Sequence, residues 1–82
     1  MKYLKLSTVE LIDYELKSIP EKYQKDFNST HEGYAVLLEE VRELENEVFF
    51  GEKKNGVNHK MRLRQEAVQV AAMAVRIIQE LT

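Results

Sequence analysis

The sequence predicts an all-α fold, an antiparallel bundle of about three to four helices completed by homo-oligomerisation. Apolar residues recur at spacings of three and four and nowhere alternate over the length of a strand. Capping-box patterns stand at Ser7–Glu10 and Ser29–Glu32. A length of 82 residues leaves a single domain over 1–82, too short for a two-domain enzyme, a long βαβ sheet or a barrel.

The first box, Ser7-Thr8-Val9-Glu10, places a serine hydroxyl on a free amide with a glutamate reaching back, which predicts a helix running to about Lys17. Pro20 disfavours helical geometry at Ile19 but suits a first turn, so Pro20 to Lys25 reads as a short helical restart before the polar break Asn28-Ser29. Ser29-Thr30-His31-Glu32 opens a second helix through YAVLLEEVRELENEVFF, with Gly51 as its C-terminal stop. Glu52 to Gly56 reads as a turn-rich connector, and Asn58 as the N-cap of a last helix that continues to the C-terminus.

On the second helix Tyr34, Leu37, Val41, Leu44 and Val48 mark one stripe expected to be buried. The last helix keeps Leu63, Val70, Ala74, Ile77 and Leu81 at three-to-four spacing, and from Ala67 to Val75 only Gln69 is polar. An apolar surface that wraps nearly the whole circumference needs cover on most sides, more than two other helices of this length provide. Self-association into a homodimer or homotetramer is the expected solution, with Ala67, Ala71, Ala72 and Ala74 allowing close approach.

With 44% hydrophobic and 32% charged residues the chain is globular rather than disordered. The absence of Cys excludes disulfides, thiolate metal sites and cysteine nucleophiles, and His31 and His59 form no paired-ligand spacing, so any metal is expected to be oxygen-bound. No apolar run has the length of a membrane span, and MKYLKLSTVELID lacks a signal-type stretch. A cytoplasmic protein without a membrane partner is expected. A formal charge of −2, from 12 basic and 14 acidic residues, argues against a general nucleic-acid binder.

The charges are unevenly placed. Six Glu and one basic residue, Arg42, lie between Thr30 and Gly51, whereas five basic residues and no acid lie between Lys53 and Arg64. Glu40, Glu43 and Glu47 project along one edge of the second helix within about 60° of one another, with Glu39 further round. Like charges so spaced repel by a few tenths of a kcal/mol per pair, so something positive should offset them. The basic connector over a solvated face is one such offset. Glu66 stands at the entrance to the apolar run of the last helix, and a partly buried carboxylate there needs a partner. Two stay open on this reading, an ion pair with Arg62 one turn earlier and a metal ion.

The segments THEGYAVLLEEVRELENEV and MRLRQEAVQVAAMAVRIIQEL join these features. Over about residues 29 to 82 the chain resembles the MazG-like family of all-α nucleoside triphosphate pyrophosphohydrolases, especially its short single-domain members in phages and bacteria. The family motif pairs Glu-x-x-Glu with a later Glu-x-x-Asp. Here Glu40-Val-Arg-Glu43 is followed by Glu66-Ala-Val-Gln69. The resemblance implies Mg²⁺, or Mn²⁺, held by Glu40, Glu43 and Glu66 as the catalytic set, with Glu39 an additional acid and Gln69 in the position of the Asp. It also implies a nucleoside triphosphate substrate, cleaved to a monophosphate and pyrophosphate. Mg²⁺ takes hard oxygen ligands and keeps several waters, so carboxylates from two antiparallel helices suit it while leaving room for phosphate oxygens. Lys53, Lys54 and Arg62 are candidate contacts to the polyphosphate, with Lys60 and Arg64 nearby.

The departure is Gln69, whose amide offers an oxygen without charge and no base. The alternative to an enzyme is therefore a non-catalytic helical homo-oligomer of the same ancestry, a binding or regulatory module. A small DNA-binding regulator has only Lys60-Met61-Arg62-Leu63-Arg64 in its favour.

Overall fold

The computed structural model describes residues 2–82. Three α-helices, α1 (Leu6–Lys17), α2 (Thr30–Asn55) and α3 (His59–Leu81), are joined through 3₁₀ turns at Glu21–Tyr23 and Gly56–Asn58, and no strand occurs among the described residues. The two long helices form an antiparallel hairpin. α1 docks on α3 and not directly on α2, so α3 is the middle element of an open arrangement.

Local chemistry explains most of the boundaries. Ser29 caps α2, its hydroxyl accepting from the Glu32 amide at 3.1 Å. The Glu32 carboxylate reaches back to the backbone and side chain of Asn28, at 2.9 and 3.2 Å, rather than to Ser29. α1 differs from expectation, for it begins at Leu6 with Lys5 as N-cap and no side-chain cap bond, which leaves Ser7 inside the first turn. The restart after Pro20 is a single 3₁₀ turn. Asn58 holds the N-cap position of α3, but its side chain makes no capping bond.

The expected stop at Gly51 is corrected. α2 runs through Gly51 and the supposed connector to Asn55, and ends at Gly56, whose φ of 55° is the left-handed conformation that glycine adopts without strain. Gly51 is buried against α3 and belongs to the packing of the hairpin.

The core is small. Phe27, Ala72 and Met73 are its buried hydrophobic residues, and Ile12, Leu16, Ile19, Val36, Leu37, Ile77 and Leu81 pack around them half-buried. The stripe predicted on α2 divides: Leu37 and Leu44 are half-buried, while Tyr34, Val41 and Val48 remain exposed. The face that meets α3 is rotated from that stripe and includes Gly33, Leu37, Glu40, Leu44, Glu47 and Gly51. A Cβ on Gly33 would stand 2.9 Å from Leu81 Cδ1 and 3.2 Å from Ile77 Cγ1 and Phe27 Cδ2, so these side chains would have to shift to admit it. Within the apolar run of α3 only Ala72 and Met73 are buried, and Ala67 is exposed.

A buried ion pair fastens the loop before α2 onto α3. Arg76 donates through Nε to Glu80 Oε2 at 2.7 Å and through an Nη to Glu80 Oε1 at 3.1 Å and the Lys25 carbonyl at 2.9 Å. Glu80 Oε1 also accepts from the Phe27 amide at 2.9 Å, and the guanidinium lies 4.1 Å from the centre of the Phe27 ring. Arg76 foremost, with the Phe27 amide, holds the Glu80 carboxyl below its usual range against the opposing effect of burial.

The accessible surface is 6711 Å², about 1,600 Å² more than the ~5,100 Å² of a compact monomer of this mass. The radius of gyration of 13.7 Å likewise exceeds the ~12 Å of a compact chain of this length. Tyr3, Leu4, Leu6 and Tyr14 before and on α1, and Tyr34, Val48, Phe49 and Phe50 on α2, are each more than half exposed.

Replacing Glu80 by Ala leaves the Arg76 charge buried without a partner and frees the loop at Phe27. We expect a loss of about 3 kcal/mol in urea unfolding. A loss below about 1 kcal/mol would show that the loop is held by apolar contacts alone.

Candidate functional site

Helical periodicity aims Glu40, Glu43 and Glu47 at α3, and the antiparallel return of the chain brings Glu66 opposite them. Carboxylate oxygens of Glu40, Glu43 and Glu66 lie within 4.8 Å of one another, Glu40 and Glu66 half-buried and Glu43 exposed. These are the three residues that the motif resemblance names together. Glu39 is exposed and stands outside the group.

The electrostatics are those of acids gathered without a cation. Burial first, then the charge of Glu43 and a proton shared with it, then the charges of Glu66 and of Glu15 on α1, push the Glu40 carboxyl from its usual 4.5 up to about 7. Glu66 is raised by burial and by Glu43, with Arg62 opposing the shift. Gln69 relieves part of this tension. With its NH₂ turned toward the acids, the orientation that satisfies both ends of the amide, it donates to Glu40 Oε2 at 3.0 Å and to Glu66 Oε2 at 3.2 Å. In this arrangement its nitrogen, not its oxygen, faces the carboxylates.

One turn along α2 a second acid is treated differently. Glu47 is 5% exposed, and its carboxylate accepts four hydrogen bonds. Asn55 Nδ2 donates to Oε1 at 3.0 Å and Oε2 at 3.1 Å, His59 Nδ1 to Oε2 at 2.9 Å, and Arg62 Nε to Oε1 at 3.3 Å. A carboxylate only accepts, so the His59 proton resides on Nδ1. His59 foremost, with Asn55 and Arg62, holds the Glu47 carboxyl below its usual range against the opposing effect of burial. The space for this network comes from Gly51, where a Cβ would overlap Glu47 Oε2 and stand 2.8 Å from His59 Nδ1.

This network corrects one alternative read from the sequence. Arg62 pairs with Glu47 across the hairpin, not with Glu66 one turn away on its own helix. Glu47 was legible as part of an acidic edge, but its partners His59 and Asn55 were not. The signal was Gly51, four residues after Glu47 in an otherwise helix-favouring run, and it reads equally as a helix stop.

Between the trio and this network lies an open cleft of about 540 Å³, lined by Glu43, Glu66, Arg62, Lys54, Asn46 and Phe50 among others. Lys54 and Arg62 are the cations of this cleft. Lys53 does not line the cleft. The lining offers the carboxylate oxygen atoms of Glu43 and Glu66 together with two cations and the exposed ring of Phe50. The chain matches no described protein family, no curated protein and no solved structure.

Because the folded protein holds the Glu40 proton more tightly than the unfolded chain, unfolding releases that proton between about pH 4.5 and 7. This contribution to stability is full below the lower value and is lost as pH rises through about 7. In a chelator, the melting temperature should therefore fall across that window, and Glu40→Gln should flatten the slope. A parallel fall in both proteins would place the titration elsewhere. Glu47 and Glu80, both lowered, act with the opposite sign and lose their contribution as pH falls below the usual 4.5.

Proposed function

We propose that the protein is a Mg²⁺-dependent pyrophosphohydrolase of nucleoside triphosphates, using Glu40, Glu43 and Glu66 to hold the metal. The observation that carries this reading is the convergence of those three carboxylates within 4.8 Å beside a cleft containing Arg62 and Lys54. The resemblance of Glu40-Val-Arg-Glu43 and Glu66-Ala-Val-Gln69 to the MazG-like motif supports it. Bound Mg²⁺ would neutralise phosphate charge and lower the pKa of a coordinated water. Glu40 and Glu66 supply oxygen atoms from facing helices, and Glu43 completes the set from the solvent side. Lys54 and Arg62, which line the same cleft, would bind phosphate oxygens. No side-chain nucleophile is required.

Gln69 favours the second reading, a non-catalytic module. Its amide joins Glu40 to Glu66 through hydrogen bonds, an arrangement that lets the acids coexist with no cation. Assembly through apolar faces belongs to both readings. The excess of about 1,600 Å² over a compact monomer is about twice the ~800 Å² that each partner gives to a standard interface. A dimer or dimer of dimers covers exposed Tyr34, Val41 and Val48 and the half-covered apolar surface of α3.

Pyrophosphate release across a panel of nucleoside triphosphates, with and without Mg²⁺, separates the two functions. The enzyme reading expects Mg²⁺-dependent turnover that falls at least about 100-fold in Glu40→Gln and Glu66→Gln, the upper end of what is lost when only a ligand's supporting contact is removed. Mg²⁺ should raise the melting temperature of the parent chain and not of these variants. Gln69→Asp should tighten Mg²⁺ binding and raise activity at low Mg²⁺, at a cost of about 0.5 kcal/mol in metal-free stability. No turnover in either protein, with melting indifferent to Mg²⁺, supports the module.

Light scattering at micromolar concentration should give a multiple of 9.6 kDa, and Ala71→Glu or Ala74→Glu should dissociate or unfold the assembly. A monomer mass would refute assembly under both readings.

A further inference from the structure

The molecule contains two arginine–glutamate pairs, and they are built differently. Arg76 meets Glu80 through both Nε and an Nη, and the same Nη also donates to the Lys25 carbonyl. Such a fork is a structural clamp. Arg62 touches Glu47 through Nε alone, and among the described residues neither of its terminal NH₂ groups has a hydrogen-bond partner. Its side chain is 48% exposed and lines the cleft beside Glu43 and Glu66.

Glu47 has no capacity for more. Each of its oxygens already accepts two hydrogen bonds, three of the four from Asn55 and His59, so the carboxylate can hold Arg62 at one point only. The network fixes the stem of the guanidinium and leaves its outer fork unspent. A planar pair of NH₂ groups held by the third nitrogen matches the geometry of a phosphate, whereas a lysine ammonium supplies only a point charge. The cavity that makes this possible exists because residue 51 has no side chain.

We infer that Glu47, fixed by His59 and Asn55 in the space left by Gly51, is a positioning residue that presents the outer fork of Arg62 to a polyphosphate chain in the cleft. The inference deepens the pyrophosphohydrolase reading and rests on it for the identity of the ligand. Glu47 itself lines the cleft, but with two hydrogen bonds already on each oxygen it has nothing left for a ligand. It acts through Arg62, and Lys54 is the secondary, unfixed cation of the same cleft.

Two measurements on the full chain test it: melting temperature against inorganic tripolyphosphate in Mg²⁺, and KM and kcat for pyrophosphate release from whichever nucleoside triphosphate is hydrolysed. Arg62→Lys keeps the charge and loses the held fork, and should weaken tripolyphosphate binding and raise KM about tenfold with little change in kcat. Glu47→Gln should do the same while leaving the melting shift produced by Mg²⁺ alone intact. The double variant should be no worse than the poorer single one, since the two residues act in series. Glu47→Asp keeps the charge but shortens the reach, and decides the matter where Glu47→Gln does not fold.

Tripolyphosphate that fails to stabilise the parent chain, unaltered binding in Arg62→Lys, or additive losses in the double variant would each overturn the inference. So would loss of the Mg²⁺ shift in both Glu47 variants, which would place Glu47 in the metal site. Absence of hydrolysis with every triphosphate, while tripolyphosphate binding still responds to Glu47 and Arg62, would instead sink the hydrolase reading and keep the positioning role.

Discussion

Every acid that the hairpin of α2 and α3 draws inward has to meet a hydrogen-bond donor, and the structure follows from how well each one does. A desolvated carboxylate costs several kcal/mol unless its lone pairs are filled. Along α3 this requirement is met three times in descending completeness. Glu47 has four donated bonds from three side chains. Glu80 has the Arg76 fork and the Phe27 amide. Glu40 and Glu66 share one amide, that of Gln69, and face a third acid besides.

The two saturated acids are architecture. Glu80 explains why a chain with three buried hydrophobic residues places its loop at all, for Arg76 stacks on Phe27 and binds the Lys25 carbonyl in the same gesture. Glu47 fixes the far end of the hairpin, where apolar residues give way to polar ones and Val57 and Met61 are exposed. Polar clamps stand at both ends of α3 and carry fixation that a larger core would otherwise supply. The third site is the one place where donors run short, and it opens into the cleft.

How much of this the sequence disclosed depended on how local the cause was. The Ser29 cap lies within one turn of chain and was legible. Glu40, Glu43 and Glu66 required only helix periodicity and an antiparallel return, and a motif resemblance placed them together. Ser7 was misread because the first turn of α1 starts on the Lys5 carbonyl, with no side chain taking part. Gly51 was misread because a glycine before a polar stretch has two explanations, a stop or a missing Cβ, and only Glu47 and His59 in space distinguish them. The pairing of Arg62 with Glu66, one of two readings left open, fails for a related reason: Glu66 is its neighbour at i+4, and the burial that makes Glu47 the more demanding partner is a tertiary property. The stripe on α2 was divided by a rotation of the contact face toward Gly33 and Gly51, both of which are buried.

Gln69 is where these considerations meet the proposed chemistry. An amide has a donor end and an acceptor end, exchanged by rotation of its last torsion. With NH₂ toward Glu40 and Glu66 it relieves a cluster without a cation; with its oxygen inward it becomes a neutral ligand of the proposed Mg²⁺. An Asp in its place would add a fourth charge to a group in which Glu40 is already pushed to about 7, so the metal-free fold would bear more repulsion and a cation would be held more tightly. On the proposed reading, the glutamine would trade metal affinity for tolerance of the metal-free state. On the proposed reading, the cation then becomes conditional, its binding set by prevailing Mg²⁺ and by a polyphosphate brought to the same cleft by Arg62. On that same reading, metal and substrate would be coupled through shared phosphate oxygens, each held more firmly when the other is present.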